Sequence, residues 1–246
     1  MRSQSSLLLL GLIPVEWSCS LSKRRQSKLT TAGQPTRQPL KPKTKKQAEY
    51  LHALETSDAV VVLGPAGTGK TFVAATYTAD QYADSAINKI IITRPNVPAG
   101  RDIGFLPGDL KEKMEPYAAS FLTPMRDRMG KGQFDTAMRA GNIEIVPFAT
   151  MRGRSFADAL IILDEAQNAT LPEMKMFLTR QGEGSKIIVN GDISQSDLPG
   201  DSGLKTVLHL IKKHGMQIPI IEFGLDDIVR SDLCAAWCRA FYMENL

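Results

Sequence analysis

Cysteine, histidine and long apolar runs are all scarce in this chain of 246 residues, and each shortage removes a class of protein. The three cysteines, Cys19, Cys234 and Cys238, give no disulfide framework and point to a reducing compartment. Cys234 and Cys238 stand one helical turn apart, a spacing that would suit a metal. The three histidines, His52, His209 and His214, supply no matching set, so buried thiols are expected instead. The apolar run from Leu7 to Val15 is nine residues long, the size of a signal-peptide core and too short to cross a bilayer. Pro14, Glu16 and Trp17 make a poor cleavage site after it, so neither export nor a membrane partner is expected.

Acidic residues are all but missing from the first 46 positions, where ten Lys/Arg stand against Glu16 alone. That net of +9, set against +4 for the whole chain, leaves −5 on residues 47–246. The basic balance therefore belongs to the N-terminal segment and not to the part that folds. Residues 20–46 hold no aromatic residue and too few apolar ones to offset the entropy of ordering. Residues 1–40 are accordingly expected to be a disordered basic segment with a short apolar start, and 41–246 a folded domain. The arm is either a solvated tail or a non-specific phosphate-binding one.

What is present is organised around Val60-Val61-Val62-Leu63-Gly64-Pro65-Ala66-Gly67-Thr68-Gly69-Lys70-Thr71, an apolar β-branched run that breaks into glycine and then into lysine and threonine. The spacing fits G-x-x-x-x-G-K-[ST], a phosphate-binding loop between a strand and a helix. The glycines let the backbone approach a polyphosphate, and the amides of the turn and the helix N-terminus face it with donors and partial positive charge. Lys70 would place a point charge on the β- and γ-phosphates, and the Thr71 hydroxyl would give Mg²⁺ one oxygen ligand. Phe72 to Ala79 contains no Gly or Pro and can continue the helix.

Leu160-Ile161-Ile162-Leu163-Asp164-Glu165 reads as a buried parallel strand that delivers two acids at its carboxyl end. Asp164 would join Thr71 around the metal. Glu165 can polarise a water for attack on the γ-phosphate, which points to hydrolysis and away from transfer to a small molecule. Lys186–Asp192 is a further buried strand. If it neighbours the Asp164 strand, Gln195 can contact the γ-phosphate and report its loss.

The remaining segments fill in an α/β alternation. Lys41–Thr56 is expected as a helix; its Gln47 is either an adenine-reading amide or an ordinary helical glutamine. Lys89–Thr93 is a strand ending in Arg94-Pro95. Asn96–Lys113 reads as a long connection carrying Arg101 and Phe105, followed by a helical region around Tyr117–Met129. Ile143–Phe148 reads as a strand, after which Arg152 and Arg154 flank Gly153 in a turn that suits phosphate contact or is simply solvated. Thr170-Leu171-Pro172-Glu173 is a capping-box pattern. Ser202–Lys213 is helical, Ile218–Phe223 a strand and Leu233–Met243 a terminal helix. Arg230 stands where an arginine finger could, with a salt bridge to Asp226 or Asp227 as the alternative.

From about Gln47 to Tyr242 the chain resembles the PhoH-like family of P-loop ATPases, whose nucleotide core is similar to superfamily 1 helicases. The likeness rests on Gly64–Thr71, Thr93-Arg94-Pro95, Gly104–Gly108, Met151–Ser155, Leu163–Asn168 with Met174–Arg180, Gly191-Asp192 with Gln195, and Asp227–Arg230. Ser155 stands where the family usually has threonine, and Ser231 where it usually has a basic residue; residues 1–46 offer no room for the nuclease domain of two-domain relatives. The resemblance implies a three-layer α/β/α P-loop NTPase domain with a largely parallel sheet of at least five strands. It also adds weight to the 96–113 loop and the Arg152-Gly153-Arg154 turn as functional segments.

Together these readings predict a cytoplasmic Mg²⁺-dependent ATPase. Its nucleotide would be held by Gln47, Gly64, Pro65, Ala66, Gly67, Thr68, Gly69, Lys70 and Thr71, its metal by Thr71 and Asp164. Lys70, Glu165, Gln195 and Arg230 would carry the chemistry. Superfamily 1 helicases close such a site between two domains, and one domain is read here, so a homo-oligomer, ring-shaped or otherwise, is expected to complete it. Hydrolysis would drive remodelling of RNA or another single-stranded nucleic acid through Arg94, Arg101, Phe105, Arg152 and Arg154. The alternative is a nucleotide-driven switch on a protein partner, favoured by the acidic folded part.

Overall fold

The computed structural model describes residues 37–95, 110–198, 200 and 202–244. Arg101, Phe105 and most of the basic N-terminal segment lie outside the described residues. The chain alternates between helices and strands: α1 (Lys45–Thr56), β1 (Ala59–Leu63), α2 (Lys70–Ala83), β2 (Lys89–Thr93), α3 (Leu110–Met129), α4 (Lys131–Arg139), β3 (Ile143–Ile145), α5 (Phe148–Met151), β4 (Ala159–Leu163), α6 (Leu171–Leu178), β5 (Lys186–Gly191), α7 (Gly203–Lys213), β6 (Ile220–Glu222) and α8 (Asp232–Met243). The six strands form one sheet in the order β3-β2-β4-β5-β1-β6. Every pairing in it is parallel.

The unbroken apolar strands follow from burial on both faces. Val60 and Val62 of β1, Ile90 and Ile92 of β2 and Leu160 and Ile162 of β4 face one core, shared with α1 to α4. Val61, Leu63, Ile91, Ile161, Leu163 and Val189 face the other, filled by Phe148 and Met151 of α5, Met174 and Phe177 of α6 and Leu204 and Val207 of α7. The result is the three-layer α/β/α arrangement. No described helix is long and apolar enough to cross a membrane.

Prolines and caps move several boundaries from where periodicity alone puts them. α1 starts at Lys45, not Lys41, because Thr44 caps it by accepting from the Gln47 amide at 3.2 Å. Ahead of it, Arg37 already bonds Asp80 and Asp84 of the domain at 3.3 and 3.2 Å. The strand expected to run to Phe148 stops at Ile145, since Pro147 sits with φ −62° at the N-cap of α5. The helix α3 begins at Leu110, so the connection expected to reach Lys113 ends earlier. α4 has no counterpart in the sequence reading: Gly130 and Gly132 at its start disguise a helix that buries Phe134 and Ala137. The capping box at Thr170 and Glu173 forms as the spacing predicts. Cys234 and Cys238 are free thiols of intermediate exposure, not the buried ones expected, because α8 buries none of its residues.

Candidate functional site

Parallel pairing places the carboxyl ends of β1, β4 and β5 side by side at one rim of the sheet, and the candidate residues are strung along them. After Leu63 the chain enters the glycine turn, with Gly64, Gly67 and Gly69 at φ of 135°, 88° and 85°. The turn is tied down from several sides. The Gly64 amide donates to Gly191 O at the end of β5 (3.2 Å), and the Val229 amide donates to Gly67 O (3.0 Å). Gln47, almost fully buried, donates Nε2 to Thr68 O at 2.9 Å while its Oε1 accepts from the Lys43 amide at 2.8 Å. Both ends of the Gln47 amide are thus engaged with the backbone, and Gln47 braces the turn.

Lys70 opens α2 and folds its ammonium back into the turn, donating to Gly64 O at 2.5 Å and Pro65 O at 2.9 Å. Burial lowers its pKa, against the pull of the Asp192, Asp164 and Glu165 carboxylates, which favour the charge. These carbonyl bonds are ones that phosphate oxygens can replace. The turn, Lys70 and Thr71 line a cavity of about 530 Å³ together with Asp164, Glu165 and Gln195.

Asp164 follows β4, its amide donating to Thr93 O at 3.0 Å, and is 7% exposed. Burial, and then the neighbouring Glu165 charge, push its carboxyl up to about 6, opposed by Arg94 and Lys70. Glu165 sits in the left-handed region at φ 53° and ψ 41°, a conformation that costs a non-glycine residue free energy and places it on the cavity wall. Two partners hold its carboxylate there: Arg94 Nη2 lies 3.2 Å from Oε1, and Gln167 Nε2 donates to Oε2 at 2.6 Å. Gln167 in turn accepts from the Asp192 amide at 2.9 Å, so one buried amide couples the ends of β4 and β5. β4 and β5 are neighbours, the condition on which the reading of Gln195 depended.

Gln167 and Asp192 carried no role in the sequence reading. Asp192 is 9% exposed; its Oδ1 accepts from the Ser194 amide (3.0 Å) and hydroxyl (2.6 Å), and its Oδ2 is buried with no hydrogen-bond partner among the described residues. Hydroxyl and carboxylate oxygens with no soft ligand fit a hard cation such as Mg²⁺. No group of three or more His, Cys, Asp or Glu among the described residues could cage a metal unaided.

Arg230 lines the same cavity and lies along the turn, its Cδ 3.2 Å from where a Cβ on Gly67 would stand. The acids weighed as its partners are engaged elsewhere: Asp226 with Arg239 at 3.7 Å, and Asp227 with the Gly224 amide at 2.9 Å. Of the described candidate nucleic-acid residues, Arg94 lines the cavity, Arg152 is exposed, and Arg154 bonds Glu144 at 2.7 Å and lies over the Phe156 ring at 4.7 Å. Lys89 holds the other oxygen of Glu144.

The Asp164 carboxyl gives the site a measurable signature. A rise from 3.8 to about 6 means that the folded chain binds this proton more tightly than the unfolded one. Ionised Asp164 therefore destabilises the fold by up to about 3 kcal/mol above pH 6, a penalty that fades as pH falls through 6 toward 4. Asp164→Asn is expected to melt at or above the parent at pH 7.5 by up to about 8 °C, with the gap closing near pH 4, and to lose any stabilisation by Mg²⁺ and ATP. Differential scanning fluorimetry across that pH range checks both parts.

Residues 39–242 match the family model described as PhoH-like protein. Over 206 residues the chain is 47% identical to a PhoH-like protein of Bacillus subtilis (strain 168), covering 82% of this chain and 64% of that one. It is 42% identical over 207 residues to Protein PhoH of Escherichia coli (strain K12), covering 82% of this chain and 58% of the relative. The chain thus spans about three fifths of the length of these curated relatives. Among solved structures, the large terminase from a thermophilic bacteriophage superposes with a TM-score of 0.52 at 16% identity, over 82% of this chain and 50% of that one. At that identity the likeness is one of fold.

Proposed function

The chain belongs to the PhoH-like family, and from that premise and the cavity at the sheet rim we propose that it is a Mg²⁺-dependent ATPase. The observation that carries this reading is that Lys70, Thr71, Asp164 and Glu165, drawn from segments almost a hundred positions apart, line one cavity. Lys70 exchanges the loop carbonyls for β- and γ-phosphate oxygens. Thr71 and Asp164 would hold Mg²⁺, which would supply positive charge to offset that of the phosphates. Glu165 orients and polarises the attacking water, Gln195 senses the γ-phosphate, and Arg230 stabilises the charge on it. Gln47 serves the nucleotide by fixing Thr68 and with it the turn. Arg94 meets one oxygen of the Glu165 carboxylate and Gln167 the other, and each oxygen keeps a second lone pair that it can offer to water. The chain works in the cytoplasm, where ATP is abundant.

Hydrolysis is coupled to remodelling of RNA or another single-stranded nucleic acid, in an oligomer. Supporting an oligomer is α8, which leaves Leu233, Trp237, Phe241 and Met243 at least half exposed beside the site. Arg94 supports coupling, because this candidate nucleic-acid residue follows β2 directly and pairs with Glu165. Single-stranded RNA is expected to raise ATP turnover about tenfold at low salt, with the stimulation falling steeply as salt rises through about 0.2 M. Steady-state ATPase measured with and without RNA, and with and without residues 1–36, tests this. A chain whose ATPase ignores RNA at every salt concentration would instead act on a protein partner, the reading favoured by the engagement of Arg154 with Glu144. Light scattering tests the oligomer, and an active monomer would overturn it.

A further inference from the structure

The base of the nucleotide has no reader among the groups assigned so far. Gln47, the residue whose amide could pair with an adenine edge, has Nε2 on Thr68 O and Oε1 on the Lys43 amide. The other walls of the cavity carry charged, small and amide side chains suited to phosphate and metal. Phe72 is different. It follows Lys70 and Thr71 directly in the first turn of α2, lines the same cavity, and is the sole aromatic side chain among its described lining residues. It is also 53% exposed, whereas the next seven residues of the helix are all buried. An exposed phenylalanine in the first turn of a helix adds little to the core, and its open face is an apolar surface next to a polyphosphate grip.

Resting on the ATPase reading above, we propose that Phe72 is the platform on which the base of the bound nucleotide stacks. Recognition is then through the π-face of the ring, which any purine offers, and not through hydrogen bonds to one edge. Val229 and Arg230 line the same cavity, and the Val229 amide is bonded to Gly67 O, so the segment beside the platform is fixed to the phosphate loop.

The test separates base from phosphate by isothermal titration of the full chain with Mg·ATP and with inorganic triphosphate. Phe72→Ala is expected to weaken Mg·ATP binding about tenfold and leave triphosphate within about twofold of the parent, the retained triphosphate affinity showing that the loop is intact. Phe72→Trp, which keeps an aromatic face, is expected to hold Mg·ATP within about threefold of the parent. ATP affinity unchanged in Phe72→Ala, equal loss of ATP and triphosphate in that variant, or a loss in Phe72→Trp as large as in Phe72→Ala each overturns the platform. A parent chain that binds neither ligand overturns the ATPase reading and the platform with it.

Discussion

Glu165→Gln is expected to cut ATP hydrolysis by about two orders of magnitude or more while leaving Mg·ATP binding close to that of the parent. The amide keeps the size of the side chain and its oxygen can still meet Arg94, while its NH₂ group can no longer accept from Gln167 Nε2. What it loses is the basicity that a polarised water needs. The phosphate grip is expected to survive, because Glu165 is held by Arg94 and Gln167 and not by the glycine turn. Steady-state phosphate release gives the rate and titration calorimetry gives the affinity. Turnover equal to the parent's would refute the role of Glu165, and loss of binding would mean that its pair with Arg94 is structural.

Gly64→Ala is the second large effect, and here the loss is of the fold before it is of activity. A Cβ at Gly64 would stand 2.5 Å from Phe223 O and 2.7 Å from Phe223 Cβ, at a φ of 135° that L side chains rarely adopt. Phe223 cannot retreat: its amide donates to Leu63 O at 2.8 Å, continuing the β1/β6 ladder, and its ring packs edge-on against Tyr50. Strain and overpacking each cost about 1–3 kcal/mol, so a total of about 4 kcal/mol and a fall in Tm of about 10 °C are expected. Gly132→Ala is the control. Gly132 lies in α4 with nothing within 4 Å of the new Cβ and an ordinary φ, so it should stabilise by about 0.5–1 kcal/mol. Thermal melts of both variants check the pair, and a Gly64→Ala chain melting within about 2 °C of the parent would contradict the stated contacts.

How much of this could be read in advance follows from how local each signal is. The glycine turn and the strand-then-acid pattern are written in contiguous residues, and β2 is delimited to the residue because Lys89 and Thr93 bracket three isoleucines. α4 is hidden by Gly130 and Gly132, whose helix-breaking reputation outweighs the spacing of Phe134 and Ala137. The roles of Gln47, Arg94 and Arg154 could not be read because their partners are remote. Gln47 lies 21 positions from Thr68, and Arg94 meets Glu165 because β2 pairs with β4 in the register Thr93 to Leu163. Glu144 claims Arg154 although burial alone would raise its carboxyl pKa, since hydrogen bonds from Lys89 and Arg154 hold it below the ordinary value. A guanidinium in a turn looks the same in sequence whether a phosphate or a carboxylate will claim it.

Gln167 matters through what it joins. Its amide bonds Glu165 on one side and the backbone of Asp192 on the other, so the Glu165 carboxylate and the segment that bears Gln195 share a single buried linkage. On the ATPase reading, the ends of β4 and β5 are therefore expected to respond together to the loss of the γ-phosphate, with one side-chain amide as their common point.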